Sequence, residues 1–337
     1  MTMSASPPNS SPMPTSRAAH AVFLDVASLG DDIDLSALKA ATASLRCHAH
    51  TRTKDVLARL QGATVAICNK TVLDAQTLAH AESLKLILIT ATGTNNVDLA
   101  MAASRGIEVR NCRDYGTASV AQHTVMLMLA LHCRFLDYQQ DLAEGRWHQA
   151  ENFCLLDHPI LELQGRTLGI CGQGAIGTAV ADLARAFGMR VVFAQLPGRP
   201  ARTNTVPWRE LPGQVDVLSL HCPLTAQTRH LVDAKVLAAM QPGAFLINTA
   251  RADLVDALAL VASLRRGHLG GAAFDGLAQE PPRGPDALLD TRLPNLIITP
   301  HNAWASRQAR QRLLSQTVEN LLAWCRDEPL RGVVPGS

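Results

Sequence analysis

The sequence predicts an α/β protein made of two doubly wound domains, each with a parallel sheet covered by helices on both faces. Three observations lead to this fold class. The chain has 337 residues, which is comfortable for two domains. Short apolar segments recur along it with helical stretches between them, which is typical of β-α-β units. These segments are apolar almost throughout, as strands buried on both faces are.

The predicted strands fall into two sets along the chain. The strands of the first set are residues 21–25, 64–68, 86–90 and 107–110. The strands of the second set are residues 167–171, 190–194, 217–221, 244–248, 271–273 and 296–299. Each set is large enough to form a sheet of its own, so we expect two sheets.

Two helical segments set the domain boundaries. Residues 121–135 (AQHTVMLMLALHCRF) are apolar on all sides, which predicts a helix buried between domains or subunits. Residues 304–326 are amphipathic and predict a last helix that crosses back to the first domain. We therefore predict a first domain from residues 20–117 and 304–331, and an inserted domain from 118–303. Residues 1–19, rich in Ser and Pro, predict a disordered tail.

Composition excludes several classes of function. The net charge is +2 and no basic run exceeds two residues, so a nucleic-acid partner is not expected. The longest strictly apolar run, residues 125–131, is far too short to span a membrane. The eight cysteines show no CxxC spacing, which fits a reducing cytoplasm better than a set of disulfides. The segment CHAH at 47–50 has no second pair of ligands elsewhere in the sequence, so a metal site is not expected.

The strongest single motif is a glycine-rich loop between a strand and a helix. An apolar strand runs into Gly-x-Gly-x-x-Gly, a helix begins, and another strand follows at 190–194. In this context the glycines allow a tight turn, close approach of a pyrophosphate and close helix packing. The helix N-terminus adds amides and positive potential for phosphates. The residues predicted to contact a dinucleotide here are Gly172, Gly174, Ala175, Ile176 and Gly177.

The end of the next strand predicts which dinucleotide is bound. An Asp or Glu is expected there to hold the ribose hydroxyls, but this chain has Gln195. Gln195 accepts a hydrogen bond without repelling a 2′-phosphate, and Arg199 or Arg202 either approaches that phosphate or faces solvent. We expect NAD as the cofactor, with NADP also accepted.

Three later segments each place an ionisable residue just after a strand. Arg251 follows one strand, Asp275 and then Glu280 follow the next, and His301 follows the last. Ligands of open parallel sheets bind outside the carboxyl ends of the strands, so these side chains should converge there. A carbonyl that receives a hydride needs a proton donor, which an imidazole supplies and a neighbouring carboxylate supports. An arginine offers paired donors to a substrate carboxylate.

These motifs resemble the NAD-dependent D-2-hydroxyacid dehydrogenases over residues 20–330. In that family an Arg follows an N-[ST]-[AS] turn, a Glu follows an Asp at a strand end, and a His follows Thr-Pro. The resemblance implies that Arg251 binds substrate, that Glu280 tunes the histidine, and that His301 is the general acid/base. It implies a Rossmann-type cofactor domain inserted into a flavodoxin-like substrate domain. Two positions depart from the family, which usually has Gly at Ala252 and Val at Gly276.

The same resemblance extends the set of cofactor contacts. Residues 221–233 (HCPLTAQTRHLVD) match the family's loop that lines the cofactor, and Asp275 matches a position that contacts the nicotinamide end. With the glycine loop and Gln195, the implied contacts are Cys222, Pro223, Thr228, Thr249, Ala250 and Asp275.

Residues 89–124 indicate which substrates to expect. They resemble the glycerate dehydrogenase or hydroxypyruvate reductase branch of the family in TGTNNVDL and YGTASVAQH. The resemblance implies that the loop Thr92-Gly93-Thr94 presents backbone amides to the substrate carboxylate, and that Arg251 and His301 also bind the substrate. On the local sequence alone, an ordinary strand-to-helix turn explains the loop equally well. Trp147 matches a residue thought to reach a neighbour's site, and a homodimer is expected by analogy.

The resemblance leaves alternative functions open. The expected reaction is reduction of hydroxypyruvate or glyoxylate to the D-2-hydroxy acid, and its reverse. The alternatives are a dehydrogenase for another acid, such as D-lactate or phosphoglycerate, and a dinucleotide-sensing protein like the corepressors related to the family. A corepressor can keep the same Arg, Glu and His, so turnover is needed to discriminate.

Overall fold

The computed structural model describes residues 17–198 and 205–328. Arg199, Arg202 and residues 1–16 of the predicted tail lie outside the described residues. The described residues divide into two compact units. Unit 1 consists of residues 17–115 and 307–328, and unit 2 consists of residues 116–198 and 205–306.

The described residues form twelve strands and ten α-helices, with short 3₁₀ turns between some of them. The strands are β1 (His20–Phe23), β2 (Ser44–Cys47), β3 (Val65–Cys68), β4 (Leu86–Ile89), β5 (Glu108–Arg110), β6 (Thr167–Cys171), β7 (Arg190–Gln195), β8 (Thr205–Pro207), β9 (Val217–Leu220), β10 (Phe245–Asn248), β11 (Gly271–Asp275) and β12 (Leu296–Thr299). The helices are α1 (Ser36–Ala40), α2 (Val56–Leu60), α3 (Ala75–His80), α4 (Leu99–Ser104), α5 (Thr117–His132), α6 (Phe135–Ala143), α7 (Ala175–Ala186), α8 (Ala234–Ala239), α9 (Ala257–Arg265) and α10 (Arg307–Cys325).

Unit 1 is a parallel five-stranded sheet with the order β2-β1-β3-β4-β5. This is the flavodoxin-like order of a doubly wound sheet. Every residue of β3 and β4 is buried, because helices cover both faces of the central strands. Helix α10 packs on β4, and Leu313, Leu314 and Leu321 form its buried side.

Unit 2 is a parallel seven-stranded sheet with the order β12-β11-β10-β9-β6-β7-β8. The chain starts at the central strand β6, builds one half of the sheet as far as β8, and then returns to build the other half from β9. This is the Rossmann-type order, and the direction of winding reverses between β6 and β9. The crevice at such a reversal is where doubly wound sheets bind dinucleotides.

The predicted fold class is confirmed, with local differences that have physical causes. Strands β2 and β8 are missing from the predicted strands; both are sheet edges, and an edge strand needs no continuous apolar run. The apolar helix α5 begins at Thr117 rather than 121 and ends at His132. Arg134 then adopts a left-handed conformation, with φ of 52°, and separates α5 from α6.

The described residues contain neither a helix suited to a membrane nor a cluster suited to a metal ion. Within 17–198 and 205–328, every helix is either too short or too polar to cross a membrane. The same part of the chain holds no group of three or more His, Cys, Asp or Glu side chains arranged to bind a metal ion.

Candidate active site

The carboxyl ends of the parallel strands of unit 2 form one edge of the sheet. Their alignment follows from the pairing of neighbours, in which Asn248 of β10 lies beside Phe274 of β11, and Asp275 beside Thr299 of β12. Arg251, Glu280 and His301 each follow a strand at this edge, and Asp275 is the last residue of β11. The loops found there are residues 172–174 after β6, 196–198 after β7, 221–233 after β9, 249–256 after β10, 276–295 after β11 and 300–306 after β12.

The three glycines after β6 serve three different purposes. Gly172 has φ of +115°, and a Cβ there would lie 2.6 Å from the carbonyl of His221, so the turn must pass close to the loop after β9. A Cβ at Gly177 would lie 2.0 Å from the carbonyl oxygen of Gly172, so α7 packs directly on the turn. A Cβ at Gly174 would meet nothing within 4 Å. That open space, at the N-terminus of α7, is where a pyrophosphate fits.

A cavity of about 220 Å³ lies between the end of β7 and the loop after β9. Gln195 ends β7 and is half-buried. Thr228 lines the cavity, but its hydroxyl donates to the Pro223 carbonyl oxygen at 2.7 Å and accepts from Thr225 N at 2.7 Å. Thr228 therefore shapes the loop from within. The cavity is lined by Leu196, Pro197, Gly198, Pro223, Thr225, Gln227 and Thr228.

Cys222, predicted as a cofactor contact, has its side chain in the core. Only 3% of the residue is exposed, and its Sγ lies 3.6 Å from Sγ of Cys171. A contact between Cys222 and a dinucleotide would therefore have to use backbone atoms.

The turn that carries Arg251 is closed by Asn248. The Asn248 side chain donates to the Arg251 carbonyl oxygen at 2.8 Å and accepts from Ala250 N at 3.1 Å. Thr249 Oγ1 lies 2.9 Å from Oγ1 of Thr124, on helix α5. Arg251 itself is exposed, and its Nη1 donates to the Ala250 carbonyl oxygen at 2.7 Å. The guanidinium is thus held at the sheet edge with donors available to an incoming anion.

His301 and Glu280 are in direct contact. His301 Nδ1 lies 2.5 Å from Glu280 Oε2, and Glu280 Oε1 accepts the N–H of Leu277 at 2.8 Å. Both carboxylate oxygens therefore have fixed partners, and the ring is oriented through Nδ1. A proton exchanged with a substrate would then leave from, or return to, the other nitrogen, Nε2.

Gly276, one of the two departures from the family pattern, lies against this pair. It has φ of +103°, a region in which residues with a side chain are strained. A Cβ at this position would lie 2.2 Å from Glu280 Oε1 and 3.4 Å from His301 Cβ. The absence of a side chain at 276 is therefore what allows Glu280 to take its present position.

Asp275, predicted as a nicotinamide contact, organises the turn that carries His301. Its Oδ1 accepts the Thr299 hydroxyl at 2.7 Å and the Asn302 N–H at 2.9 Å, and its Oδ2 accepts the Ala303 N–H at 2.9 Å. Its buried carboxylate is thus largely occupied within the protein, with Oδ2 retaining acceptor capacity.

Sequence reasoning assigned no role to His123 or Thr299, and the structure places both behind this turn. His123 Nε2 lies 2.9 Å from Thr299 Oγ1 and 3.8 Å from Asp275 Oδ1. Burial lowers the pKa of His123, and the nearby carboxylate of Asp275 opposes that shift. Local signals were present in YGTASVAQH, which contains His123, and in the Thr-Pro-His motif, but neither reveals that the two residues meet.

The predicted substrate loop lies in unit 1, at the carboxyl end of β4. The Thr92 carbonyl oxygen accepts from Asn111 Nδ2 at 2.7 Å, and the Thr94 carbonyl oxygen accepts from Val97 N at 3.0 Å. Trp147, in unit 2, is about half exposed, and its indole N–H donates to the Phe153 carbonyl oxygen at 3.0 Å.

Of the three predicted catalytic residues, Glu280 and His301 are in direct contact, and Arg251 lies on the same edge of the sheet.

Comparison with known families gives one match over more than half of the chain. The family described as "D-isomer specific 2-hydroxyacid dehydrogenase, NAD binding domain" matches residues 125–303. This range contains the glycine loop and all three predicted catalytic residues.

Curated relatives match most of the chain. A glycerate dehydrogenase of Methylorubrum extorquens is 43% identical over 277 residues, which are 82% of this chain and 87% of the relative. A hydroxypyruvate reductase of Blautia hydrogenotrophica is 34% identical over 287 residues, 84% of this chain and 88% of the relative. Among solved structures, a protein of Thermus thermophilus is 36% identical with a TM-score of 0.82, covering 93% of this chain and 99% of its own.

Proposed function

Because the chain belongs to the D-isomer-specific 2-hydroxyacid dehydrogenase family, we propose that it reduces small 2-oxo acids to D-2-hydroxy acids with NADH or NADPH. Hydroxypyruvate and glyoxylate are the proposed substrates, since relatives that cover most of the chain carry the names glycerate dehydrogenase, hydroxypyruvate reductase and glyoxylate reductase. The observation that carries the proposal is the contact between His301 and Glu280, which lies at the same carboxyl edge of the sheet as the glycine loop.

His301 is the proposed proton donor. When bound, a reduced nicotinamide supplies the hydride, and the carbonyl oxygen of the substrate then needs a proton. His301 gives this proton from Nε2, because Nδ1 is held by Glu280. Glu280 stabilises the imidazolium form that must exist before the transfer, and its second oxygen, bound to Leu277 N, keeps it in place. In the reverse direction the same imidazole accepts the proton.

Arg251 is the proposed binding group for the substrate carboxylate. Its guanidinium can give two parallel hydrogen bonds to a carboxylate and also polarise the neighbouring carbonyl. The turn closed by Asn248 fixes the backbone of Arg251, while the exposed side chain can exchange its bond to Ala250 for a bond to an anion. In unit 1, the loop Thr92-Gly93-Thr94 remains the predicted source of backbone donors.

The cofactor residues fit a dinucleotide with relaxed preference between NADH and NADPH. The open space over Gly174 suits the pyrophosphate, and the cavity beside Pro223 suits the adenosine. Gln195, at the end of β7, carries no charge that would repel a 2′-phosphate. Of the predicted contacts, Ala175 and Ile176 lie in the first turn of α7.

A homodimer is the proposed assembly, and an exposed apolar surface of unit 2 supports it. Eight large apolar side chains between residues 126 and 160 are each more than 40% exposed, up to 90% for Phe153. Monomeric proteins rarely leave large contiguous apolar patches in water. The eight exposed side chains are those of Met126, Phe135, Leu136, Leu142, Trp147, Phe153, Leu156 and Ile160. A second copy of the chain is the expected cover, and sedimentation of Leu156→Glu beside the natural protein tests it.

A steady-state assay tests the proposed reaction. Hydroxypyruvate, glyoxylate, pyruvate and 3-phosphohydroxypyruvate are each supplied with NADH and with NADPH, and kcat/KM is measured for every pair. We expect the highest values for the first two acids, and the D enantiomer as product. Failure of all four acids, together with tight binding of NADH, would favour the dinucleotide-sensing alternative.

A further inference from the structure

Helix α5 is tied by side chains to the turn that carries His301. His123 Nε2 lies 2.9 Å from Thr299 Oγ1, and the same hydroxyl lies 2.7 Å from Asp275 Oδ1. Asp275 also accepts the backbone N–H groups of Asn302 and Ala303, the two residues that follow His301. A continuous hydrogen-bonded chain therefore leads from α5, through the Thr299 side chain at the end of β12, to the backbone that follows His301.

The direction of each hydrogen bond follows from the donors that are present. The Thr299 hydroxyl has two acceptors in reach, Asp275 Oδ1 at 2.7 Å and the Phe274 carbonyl oxygen at 3.3 Å. Its single hydrogen points to Asp275, because the shorter contact joins it to a charged group that can only accept. Thr299 Oγ1 must then accept from its other neighbour, and His123 supplies an Nε2–H. Burial lowers the pKa of His123, which favours the neutral ring. The neutral ring then carries its one N–H hydrogen on Nε2, because that nitrogen faces the accepting Thr299 oxygen. His123 thus sets the orientation of the hydroxyl that completes the donor set of Asp275.

The turn needs such support because His301 has an unusual backbone conformation. Its φ is +53°, in the left-handed region, which a residue with a bulky side chain occupies only where its surroundings hold it there. Glu280 holds the ring through Nδ1, but one hydrogen bond to a side chain does not fix the backbone below it. Asp275 does so, through the N–H groups of residues 302 and 303.

We propose that His123 and Thr299 are positioning residues for proton transfer, which act through Asp275 to hold the His301 turn. With them in place, Nδ1 of His301 stays on Glu280 and Nε2 stays at the substrate. This assignment rests on the proposed function, since it concerns the same proton-transfer step. Neither residue is expected to touch substrate or cofactor.

Matched variants separate the hydrogen bonds from the packing. Thr299→Val removes the hydroxyl at nearly constant shape, and Thr299→Ser keeps it. His123→Leu removes the Nε2–H, and His123→Gln keeps a side-chain N–H with similar reach. Gln122→Ala is the control, because Gln122 is the exposed neighbour of His123 on the same helix. The melting temperature of each variant shows whether it remains folded.

The first measurement needs no catalytic activity. The proton between His301 Nδ1 and Glu280 Oε2, in a hydrogen bond of 2.5 Å, should resonate far downfield in the proton NMR spectrum. Its absence from His301→Gln assigns it. We expect the signal to persist in Thr299→Ser and Gln122→Ala, and to shift upfield or broaden away in Thr299→Val and His123→Leu. An unchanged signal in both of the latter variants would overturn the proposal.

The second measurement uses kcat and a double variant. Thr299→Val should lower kcat about tenfold or more, with the dissociation constant of NADH changed less than about twofold. In a His301→Gln background the same substitution should have no further effect, because the proton donor on which it acts is gone. An equal loss of kcat in both backgrounds would mean that Thr299 acts elsewhere. If the natural protein reduces no 2-oxo acid, the proposed function fails, and the NMR result still decides whether these residues position His301.

Discussion

The imidazole of His301 and the carboxylate of Glu280 share a hydrogen bond of 2.5 Å, although 21 residues separate them in the chain. The other oxygen of Glu280 accepts the N–H of Leu277, so the carboxylate cannot turn away from the ring without losing a second bond. The two ring nitrogens therefore have different roles. Nδ1 is bonded to Glu280, so only Nε2 can exchange a proton with a substrate. It also makes the pair sensitive to small changes at either residue.

Replacing His301 by Gln removes the proton donor. We expect kcat for reduction of hydroxypyruvate to fall by about 10²–10⁴-fold, the usual contribution of general acid catalysis. Binding of NADH, followed by fluorescence titration, should stay within about twofold, because the glycine loop is unaffected. Loss of NADH binding would instead indicate that His301 supports the fold.

Replacing Glu280 by Gln removes the negative charge beside the imidazolium. Reduction requires the protonated ring, and the carboxylate that stabilises it is in direct contact with Nδ1. We therefore expect kcat for reduction of hydroxypyruvate to fall by about tenfold or more in Glu280→Gln, while the dissociation constant of NADH changes less than about twofold. Steady-state kinetics of the natural protein and the variant provide the measurement; an unchanged kcat would contradict the assigned role.

Adding a side chain at Gly276 should disturb the same pair. The new Cβ would lie 2.2 Å from Glu280 Oε1, and φ of +103° is strained for any residue but glycine. For Gly276→Ala we expect a loss of about 1–3 kcal/mol in the free energy of unfolding, together with a lower kcat. Gly284→Ala is the control, because its Cβ would meet no atom within 4 Å and its φ lies outside the strained range. Equal behaviour of the two variants would refute the explanation.

Gln195→Asp should create a strict preference for NADH. A carboxylate at the end of β7 can hold the ribose hydroxyls, and it repels a 2′-phosphate. We expect the ratio of kcat/KM for NADH to that for NADPH to rise by about tenfold or more, equivalent to about 1.4 kcal/mol. Gln195→Asn, which keeps the neutral amide, serves as the control. A strong preference for NADH in the natural protein would count against the relaxed site.

The buried histidine His132 should make the fold sensitive to acid. Its Nδ1 donates to the Met128 carbonyl oxygen, its Nε2 is buried without a partner, and burial lowers its pKa. The folded protein then binds fewer protons than the unfolded chain below about pH 6.5, so stability present above that pH is lost as the pH falls. Between about pH 7.5 and 5 this costs at most about 2 kcal/mol. Unfolding of His132→Phe should vary less over this range; an equal slope would exclude His132 as a cause.

Sequence reasoning was most effective where one local pattern carries the structural information. The central strands were predicted because burial on both faces leaves an uninterrupted apolar run, and the glycine loop because each of its glycines answers a local requirement. The edge strands β2 and β8 have no comparable apolar run and were missed, whereas the edge strands β5 and β12 were predicted. Arg251, Glu280 and His301 could be proposed because each follows a strand at one edge. The link from His123 to Thr299 spans 176 residues, and no local pattern reveals it. The same limit applies to Asp275, whose hydrogen bonds to residues 302 and 303 depend on how two strands lie side by side.

The three glycines of the loop after β6 also differ in what a substitution at each would reveal. A side chain at 172 or 177 would collide with backbone that belongs to the fold itself, so such variants would report on assembly of the domain. Position 174 borders empty volume, so a methyl group there would leave the unliganded protein intact and compete only with an incoming phosphate. An alanine at 174 thus offers a test of the proposed pyrophosphate site in a protein whose conformational stability should be unchanged.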